Sequence, residues 1–343
     1  MLLPRPVVIA TRGRPLALAQ TYKVRAMCQA AFPDQAFEVR IIKTTGDKLQ
    51  TASMAQPSPS LPKGLFTKEL EVALLAGEAD FAVHSLKDLP TELPDGLILG
   101  AVPQRADVRD VLVFRPGPGT PEARGFAPHS RLADLPAEAV VATSSTRRRE
   151  QVRAALPKAQ TPEIRGNVGT RLEKLLRQPE LHATILAAAG LGRLGFGFAE
   201  NGTLLTPETV TLSAPVLATP LPLNEMLPCV GQGAIGIEIR ANDCAIHELC
   251  ERLDVAASRL AVTAERAFLQ GMGGGCQSPV AAFAEIRGED QQLVLTVASF
   301  VTSRPLRLTL HGAPEKAADL GREAARQMLG LQEAARGAGA SNS

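Results

Sequence analysis

Residues 81–88 read Phe-Ala-Val-His-Ser-Leu-Lys-Asp and join an apolar run to a group of polar side chains. The apolar residues 81–83 are typical of a buried β-strand, and the polar residues follow where that strand would end. In α/β proteins, side chains at the carboxyl ends of strands usually line a cleft. The stretch therefore predicts an α/β fold with a site close to Lys87 and Asp88.

The chain on both sides of this stretch alternates between strand-like and helix-like patterns. Strand-like runs occupy residues 7–10, 39–42 and 97–102, and helix-like stretches occupy 16–32 and 68–76. A second series from Val111 has strand-like runs at 140–142 and 183–188 and helix-like stretches at 146–156 and 170–176. Alternation of this kind predicts two α/β units.

The last third of the chain has a different pattern. The proline-rich residues 210–228 lack periodicity and predict a surface connection rather than a strand or helix, and a strand-like run follows at 234–239. Further on there are a helical pattern at 256–269, strand-like runs at 280–286, 293–300 and 306–310, and a helical pattern after Pro314. This order predicts a small α+β domain, and the composition after Arg336 predicts a disordered tail.

The composition of the 343-residue chain argues against several kinds of protein. No run of about 18 apolar residues occurs and the N-terminus lacks the features of a secretory signal, so we expect a cytoplasmic protein outside the membrane. Five scattered cysteines without a CxxC pair predict reduced thiols, and the histidine spacing predicts no metal. A net charge of +2, one Tyr and no Trp disfavour nucleic-acid binding.

Arginines concentrate at turns that lead from predicted strands into predicted helices. Such turns occur at residues 143–149 (TSSTRRR) and 165–171 (RGNVGTR), and more weakly at residues 11–12. Cations at the positive end of a helix dipole are unfavourable unless an anion lies among them. One such turn alone is more often a solvated surface. Their repetition, with Arg193 after a further apolar run, predicts a site for a ligand with several anionic groups.

Two other motifs allow both a structural and a chemical interpretation. Lys87 and Asp88 could form an ion pair in a capped turn, or Asp88 could stay ionised in a site and stabilise a cationic intermediate. Cys276 follows three glycines, which would let its thiol approach a bulky group. A free cysteine is nevertheless often only a small buried apolar residue.

Seven ordered blocks resemble the porphobilinogen deaminase (hydroxymethylbilane synthase) family over nearly the whole chain. They are residues 9–12 (IATR), 63–71 (KGLFTKELE), 82–88 (AVHSLKD), 143–148 (TSSTRR), 165–171 (RGNVGTR), 230–234 (VGQGA) and 274–277 (GGCQ). The resemblance implies an α/β protein of three domains, the first two similar to the lobes of type 2 periplasmic binding proteins with the active cleft between them. These domains would comprise residues 1–104 with 232–253, residues 105–231, and a small α+β domain at residues 254–343, with a hinge at 102–108 and 229–232.

The resemblance also implies a transferase with a covalent dipyrromethane cofactor, attached to Cys276 through a thioether. Four porphobilinogen molecules would be added to this cofactor with loss of ammonia, and hydrolysis would release the linear tetrapyrrole hydroxymethylbilane. The partners implied are porphobilinogen and the growing polypyrrole chain, with no nucleic acid and no membrane. The expected oligomeric state is a monomer.

Residue roles follow from the same resemblance. Asp88, assisted by Lys87, matches the catalytic position, where a carboxylate holds pyrrole N–H groups and stabilises positive charge. The implied cofactor-binding residues are Cys276, Asp88, Arg147, Arg148, Ser145, Lys87 and Gly166. The implied substrate-binding residues are Arg12, Gln20, Phe66, Ser85, Thr143, Arg165, Asn167, Arg171 and Arg193. Phe66, being apolar, could equally belong to the core.

Two features depart from the family pattern, and two other functions remain open. Arg14 replaces a serine common in relatives and could contact a carboxylate or face solvent, and residues 50–62 form a longer Ser- and Pro-rich segment expected to be a mobile lid. A two-lobed anion-binding protein would explain the arginines but leave Cys276 without a task. A nucleic-acid-binding protein that uses residues 147–149 would bind with strong salt dependence.

Overall fold

The computed structural model describes residues 3–44, 67–117, 125–274, 278–302 and 304–340. Two predicted site residues, Cys276 and Phe66, and the expected lid at 50–62 lie outside the described residues.

Strands and helices alternate through the first two thirds of the described chain. The strands are β1 (Val7–Arg12), β2 (Phe37–Ile42), β3 (Phe81–Ser85), β4 (Leu97–Ala101), β5 (Asp110–Phe114), β6 (Val141–Ala142), β7 (Ala183–Ala187), β8 (Gly197–Phe198), β9 (Leu204–Leu205), β10 (Leu217–Pro220), β11 (Ile235–Arg240), β12 (Val280–Arg287), β13 (Gln292–Ser299) and β14 (Leu306–Gly312). The helices are α1 (Pro15–Ala31), α2 (Lys68–Leu75), α3 (Thr146–Ala155), α4 (Val168–Arg177), α5 (Ala188–Arg193), α6 (Cys244–Leu253), α7 (Ala256–Gly271) and α8 (Ala317–Ala340).

The first sheet places the end of β3 near its centre. Its strand order is β2-β1-β3-β11-β4, with β2, β1 and β3 parallel and β11 antiparallel between β3 and β4. Ile9, Phe81 and Ile237 are fully buried in one apolar cluster on this sheet. Because β11 follows β10 in the sequence, the chain leaves the first sheet after β4 and returns to it after building the second.

The second sheet contains a strand that the sequence did not predict. Its order is β10-β5-β7-β6, and β10 lies inside the segment 210–228, so the prediction of an irregular connection was wrong for residues 217–220. Pro220 pairs opposite Val111 in an antiparallel register. A proline is tolerated there because β10 is an edge strand, whose outer side needs no ladder hydrogen bonds.

The third sheet, β12-β13-β14, is antiparallel, and helices α7 and α8 pack on it. The two helices approach closely at Gly321, where an added Cβ would lie 2.2 Å from the carbonyl oxygen of Ala264. Phe268 and Met328 are fully buried between helices and sheet. Helix α8 continues to Ala340, four residues beyond the point at which the composition predicts a disordered tail.

These sheets confirm the predicted α/β class with a smaller α+β unit at the C-terminal end. The sequence analysis missed α5, α6 and the short pair β8–β9. Across the described ranges, no helix is both long and apolar enough to span a membrane. Within the same ranges, no group of three or more His, Cys, Asp or Glu side chains is arranged as a metal site.

Candidate active site

Asp88 lies in a single 3₁₀ turn, Leu86–Asp88, that follows β3 directly. The turn is closed by the Leu89 amide, which donates to the Leu86 carbonyl at 3.2 Å, and the Leu86 amide donates to the Ala234 carbonyl at 3.1 Å. Leu86 is buried and Asp88 is exposed. Within the described part of the chain, the Asp88 carboxylate accepts no hydrogen bond, so this turn presents a carboxylate that a ligand can bind.

Helix α1 fixes the end of β3 through buried polar contacts. The Gln20 amide donates to the Ser85 hydroxyl at 2.8 Å, and the Thr21 hydroxyl donates to the Thr11 hydroxyl at 2.7 Å. Thr11 and Gln20 are buried, whereas Ser85 and the neighbouring Arg12 are half-buried. Three predicted substrate-binding residues, Arg12, Gln20 and Ser85, therefore belong to adjoining ends of β1, α1 and β3.

An open cleft brings together residues from the first and second sheets. Its lining includes Ser85, Lys87, Arg193 and the glycine-rich residues 231–234. Arg193 donates from Nη2 to the Gly233 carbonyl at 2.6 Å, and burial lowers the pKa of its guanidinium to about 10. A second, shallow pocket lies beside β1 and α6, and its lining contains none of the predicted site residues.

Arg147 and Arg148 at the start of α3 share one buried carboxylate. Arg147 Nη1 lies 2.8 Å from Asp110 Oδ2, and Arg148 Nη2 lies 2.6 Å from Asp110 Oδ1. All three side chains are buried. Burial alone would raise the pKa of Asp110, but the two guanidinium groups outweigh it and hold that pKa well below its ordinary value.

Backbone carbonyls complete the environment of these arginines. Arg147 Nη1 donates to the Leu227 carbonyl at 2.7 Å, and Arg148 Nη1 donates to the Ile185 carbonyl at 2.8 Å. The anion that the sequence required among these arginines is thus supplied by Asp110 of the same chain. Asp110 was not among the residues predicted from the sequence, although a lone Asp directly before the apolar residues 111–114 is a visible signal.

The turn before α3 carries two more predicted site residues. Thr143 is buried, and its hydroxyl accepts from the Ser145 amide at 3.2 Å. Ser145 is the N-cap of α3 and accepts from the Arg148 amide at 3.5 Å, a long hydrogen bond. Both side chains therefore shape the start of the helix that carries the paired arginines.

The second arginine-rich turn is more exposed than the first. Asn167 caps α4 by accepting from the Thr170 amide at 2.8 Å, and Arg171 Nε donates to the Gly166 carbonyl at 2.8 Å. Gly166 has a φ of +120°, a conformation that side chains other than glycine rarely adopt. Arg165 is exposed and pairs with Glu163 at 2.9 Å.

Arg171 belongs to the same positive region as Arg148. Burial lowers the pKa of Arg171, and the nearby charge of Arg148 lowers it further. Two like charges that lie close together are stabilised by any anion that reaches them both. The structure thus brings Arg148 and Arg171 together and leaves Arg165 on the surface.

Both crossings between the sheets are held by buried polar groups that the sequence analysis did not single out. Gln232 donates from Nε2 to the Val108 carbonyl at 2.7 Å and to Asp110 Oδ1 at 3.0 Å. Glu265 of α7 accepts from Arg105 Nη1 at 2.6 Å and from the Gly231 amide at 2.8 Å. One amide and one carboxylate therefore tie the outgoing crossing to the returning one.

An exposed aspartate next to a cleft whose lining includes Lys87 and Arg193 is the main feature of this α/β protein's candidate site. The family model described as "Porphobilinogen deaminase, dipyromethane cofactor binding domain" matches residues 7–248. The model of the porphobilinogen deaminase C-terminal domain matches residues 259–330. The chain belongs to the porphobilinogen deaminase family, as the seven sequence blocks had indicated.

Relatives of this name match almost the entire chain. The porphobilinogen deaminase of Synechococcus elongatus is 43% identical over 324 residues, which are 94% of this chain and 92% of that protein. The one from Moorella thermoacetica is 42% identical over 335 residues, 97% of this chain and 94% of that protein. Among solved structures, the BenM effector binding domain with its effector benzoate has a weaker similarity, with a TM-score of 0.38 and 16% sequence identity. The match covers 73% of this chain and 91% of that one.

Proposed function

We propose that this chain is a hydroxymethylbilane synthase. It adds four porphobilinogen molecules, with loss of ammonia, to a dipyrromethane held covalently by Cys276, and releases hydroxymethylbilane by hydrolysis. The observation that carries the proposal is the Asp88 turn. Among the described residues, this exposed carboxylate accepts no hydrogen bond, and its neighbour Lys87 lines the same cleft as Arg193.

The residues of the cleft fit a dipyrromethane. Burial lowers the pKa of Arg193, which lines the cleft, and of Arg171, which is not part of its lining, so both charged guanidinium groups would gain from a ligand carboxylate. The bound dipyrromethane would supply the free pyrrole α-carbon to which the first porphobilinogen is joined, and each later unit would be joined to the free α-carbon of the ring added before it. Asp88 would accept hydrogen bonds from pyrrole N–H groups. The cationic side chains of the protein would bind the carboxylates of the dipyrromethane.

Asp88 has the central chemical role in this proposal. Positive charge develops on the porphobilinogen methylene and ring as ammonia leaves. An ionised carboxylate at the end of β3 stabilises that charge in the transition state more than in the ground state, which is the condition for accelerating the step. Lys87 would act beside it in the same turn.

The arginines divide into two groups by their partners. Arg147 and Arg148 share the charge of Asp110, so together the three groups leave one net positive charge. Arg12, Arg165, Arg171 and Arg193 would contact the carboxylates of substrate and chain. Gln20, Ser85, Thr143, Ser145, Gly166 and Asn167 would shape the surrounding turns, as their hydrogen bonds and backbone conformations support.

We place the lobes at residues 1–104 with 232–253 and at residues 105–231, and the cofactor-bearing domain at 254–343. Strand β11 supports this division, because it lies in the first sheet although it follows the second in sequence. We further propose a cytoplasmic monomer. Size-exclusion chromatography with light scattering would test the oligomeric state.

The mass of the intact protein tests the covalent cofactor. We expect the purified chain to carry the added mass of two linked pyrroles, and we expect Cys276→Ser to lack it. Cys244→Ser is the matched control, because Cys244 is exposed in α6, and this variant should keep the added mass. An unmodified mass from active wild-type enzyme would refute the covalent cofactor, whereas an unmodified mass from a protein without activity would favour a simple anion-binding protein.

Steady-state kinetics test the role of Asp88. Asp88→Ala should keep the two pyrroles and lose about 100-fold or more in kcat, a loss typical of removing one group that stabilises transition-state charge. Asp95→Ala is a suitable control, because Asp95 is an exposed aspartate shortly after the same turn. Near-normal turnover of Asp88→Ala would rule out the assigned role.

A further inference from the structure

The segment that follows Asp88 is hydrogen-bonded to helix α7, which belongs to the C-terminal unit. Arg266 of α7 donates from Nη1 to the Leu89 carbonyl at 3.2 Å. Its Nη2 donates to the Pro90 carbonyl at 2.6 Å and to the Thr91 carbonyl at 3.2 Å. A single guanidinium thus binds three consecutive carbonyl groups directly after the carboxylate, and each of these bonds is strengthened by the arginine's charge.

A second contact lies one turn further along the same helix face. Gln270 donates from Nε2 to Glu92 Oε1 at 3.0 Å. Residues four apart lie above one another on a helix, so Arg266 and Gln270 form one contact surface against residues 89–92. Helix α7 ends at Gly271, five residues before Cys276, so it connects the Asp88 turn directly to the glycine-rich segment that precedes the thiol.

The other end of the Asp88 turn is fixed from a different side. The Leu86 amide donates to the Ala234 carbonyl at 3.1 Å. Gly231 packs so closely that an added Cβ would lie 3.2 Å from Leu86 C and from Lys87 N. The returning crossing therefore fixes the start of the turn, and Arg266 fixes the backbone immediately after it. Asp88 lies between these two attachments.

We propose that Arg266 is a positioning residue for Asp88. By binding the carbonyl groups of residues 89–91, it holds the carboxylate at a set place relative to the helix that leads to Cys276. The inference rests on the proposed function, because it assigns Arg266 a task in the reaction of Asp88. Arg266 itself touches no reacting atom in this scheme and acts through the backbone of the turn.

Kinetics of Arg266→Ala test this role. We expect kcat to fall about 10- to 100-fold, since a displacement of about 1 Å in a catalytic group can cost about 100-fold. KM should change less than about threefold, and the mass of two pyrroles should remain, because the proposed role of Arg266 is exerted through the backbone of residues 89–91 and not on substrate carboxylates or on the thioether. Arg266→Lys should recover most of kcat, because an ammonium group has three donors for the same carbonyls.

Arg259 offers a matched control on the same helix. It donates from Nη1 to the Leu99 carbonyl at 3.2 Å and from Nη2 to the Gly100 carbonyl at 2.6 Å, away from the Asp88 turn. Arg259→Ala should lower the melting temperature about as much as Arg266→Ala, yet keep kcat within about twofold. An equal loss of kcat in both variants would overturn the proposal, because it would show a merely structural effect.

A double-mutant cycle separates this inference from the function on which it rests. In an Asp88→Ala background, Arg266→Ala should reduce the residual kcat less than about twofold, because the group that it positions is already gone. A full additive loss would refute positioning. If wild-type protein carries two pyrroles but Arg266→Ala keeps a normal kcat, only the role of Arg266 is refuted. Active wild-type protein without the pyrroles would instead refute the proposed function.

Discussion

Replacing Asp110 by Asn tests whether the buried carboxylate is required by the two arginines around it. The substitution keeps the size of the side chain and one acceptor oxygen but removes the charge. Arg147 and Arg148 would then remain buried without a counter-ion, and removal of one partner from a buried ion pair costs about 3–5 kcal/mol. Both arginines keep a backbone carbonyl partner, at Leu227 and Ile185. We therefore expect a loss near the lower limit, about 3 kcal/mol.

Urea unfolding followed by circular dichroism measures this loss at pH 7. The matched control is Glu163→Gln, which also removes a carboxylate beside an arginine, but in a pair whose side chains are more than half exposed. That variant should lose less than about 1 kcal/mol, because solvent screens exposed pairs. If Asp110→Asn is no less stable than Glu163→Gln, the reasoning about the buried pair is wrong.

The pH dependence of the stability difference between wild type and Asp110→Asn is a second check on the buried ion pair. The folded protein holds the pKa of Asp110 below the ordinary value of 3.8, so the stabilisation is complete above pH 3.8 and declines as the pH falls through the folded-state value. The stability difference between wild type and Asp110→Asn should thus be constant from neutral pH down to about pH 5 and narrow only under stronger acid. A difference that already narrows near pH 7 would point to another titrating group.

Two further predictions concern packing. In urea unfolding, Gly321→Ala should destabilise the protein by about 1–3 kcal/mol, because the added Cβ would lie 2.2 Å from the Ala264 carbonyl oxygen. Gly330→Ala is the control on the same helix. It should be neutral or stabilising by up to about 1 kcal/mol, because no atom lies within 4 Å of its added Cβ. Burial raises the pKa of Cys28 and of Cys250 to about 12, so both should resist alkylation at pH 8 while Cys244 reacts. Peptide mass spectrometry, with urea-unfolded protein as the fully labelled control, would contradict this if Cys28 reacted in the folded state.

Local patterns were sufficient to predict the Asp88 turn. Within residues 81–88, the apolar run predicts the strand, and the polar residues after it predict where the strand ends and which side chains lie there. The helix that starts at Thr146 was predictable for the same reason, since Ser145 supplies its N-cap. Each of these features depends on neighbours in the sequence.

Features that depend on distant residues were not predictable from the sequence. The requirement for an anion near Arg147 and Arg148 was evident, but the chain's own Asp110 lies on a strand that precedes them by more than thirty residues. Strand β10 was missed because Pro220 suggests a loop, and only its place at the sheet edge makes a strand compatible with proline. Glu265 likewise gains its partners only when α7 meets both crossings.

The environments of three carboxylates explain how one chain can separate structural from chemical tasks. Asp110 and Glu265 are fully buried, and each is bound by arginine and by further donors, so their charges are used within the protein. Asp88 is exposed at the end of β3 and, within the described residues, has no such partner. Because Asp110 neutralises part of the charge of Arg147 and Arg148, the proposed second lobe would present a moderate positive charge to a ligand's carboxylates. Under the proposed function, a growing acidic chain would be attracted to that lobe, while the carboxylate of Asp88 would remain available to stabilise the positive charge on the incoming unit.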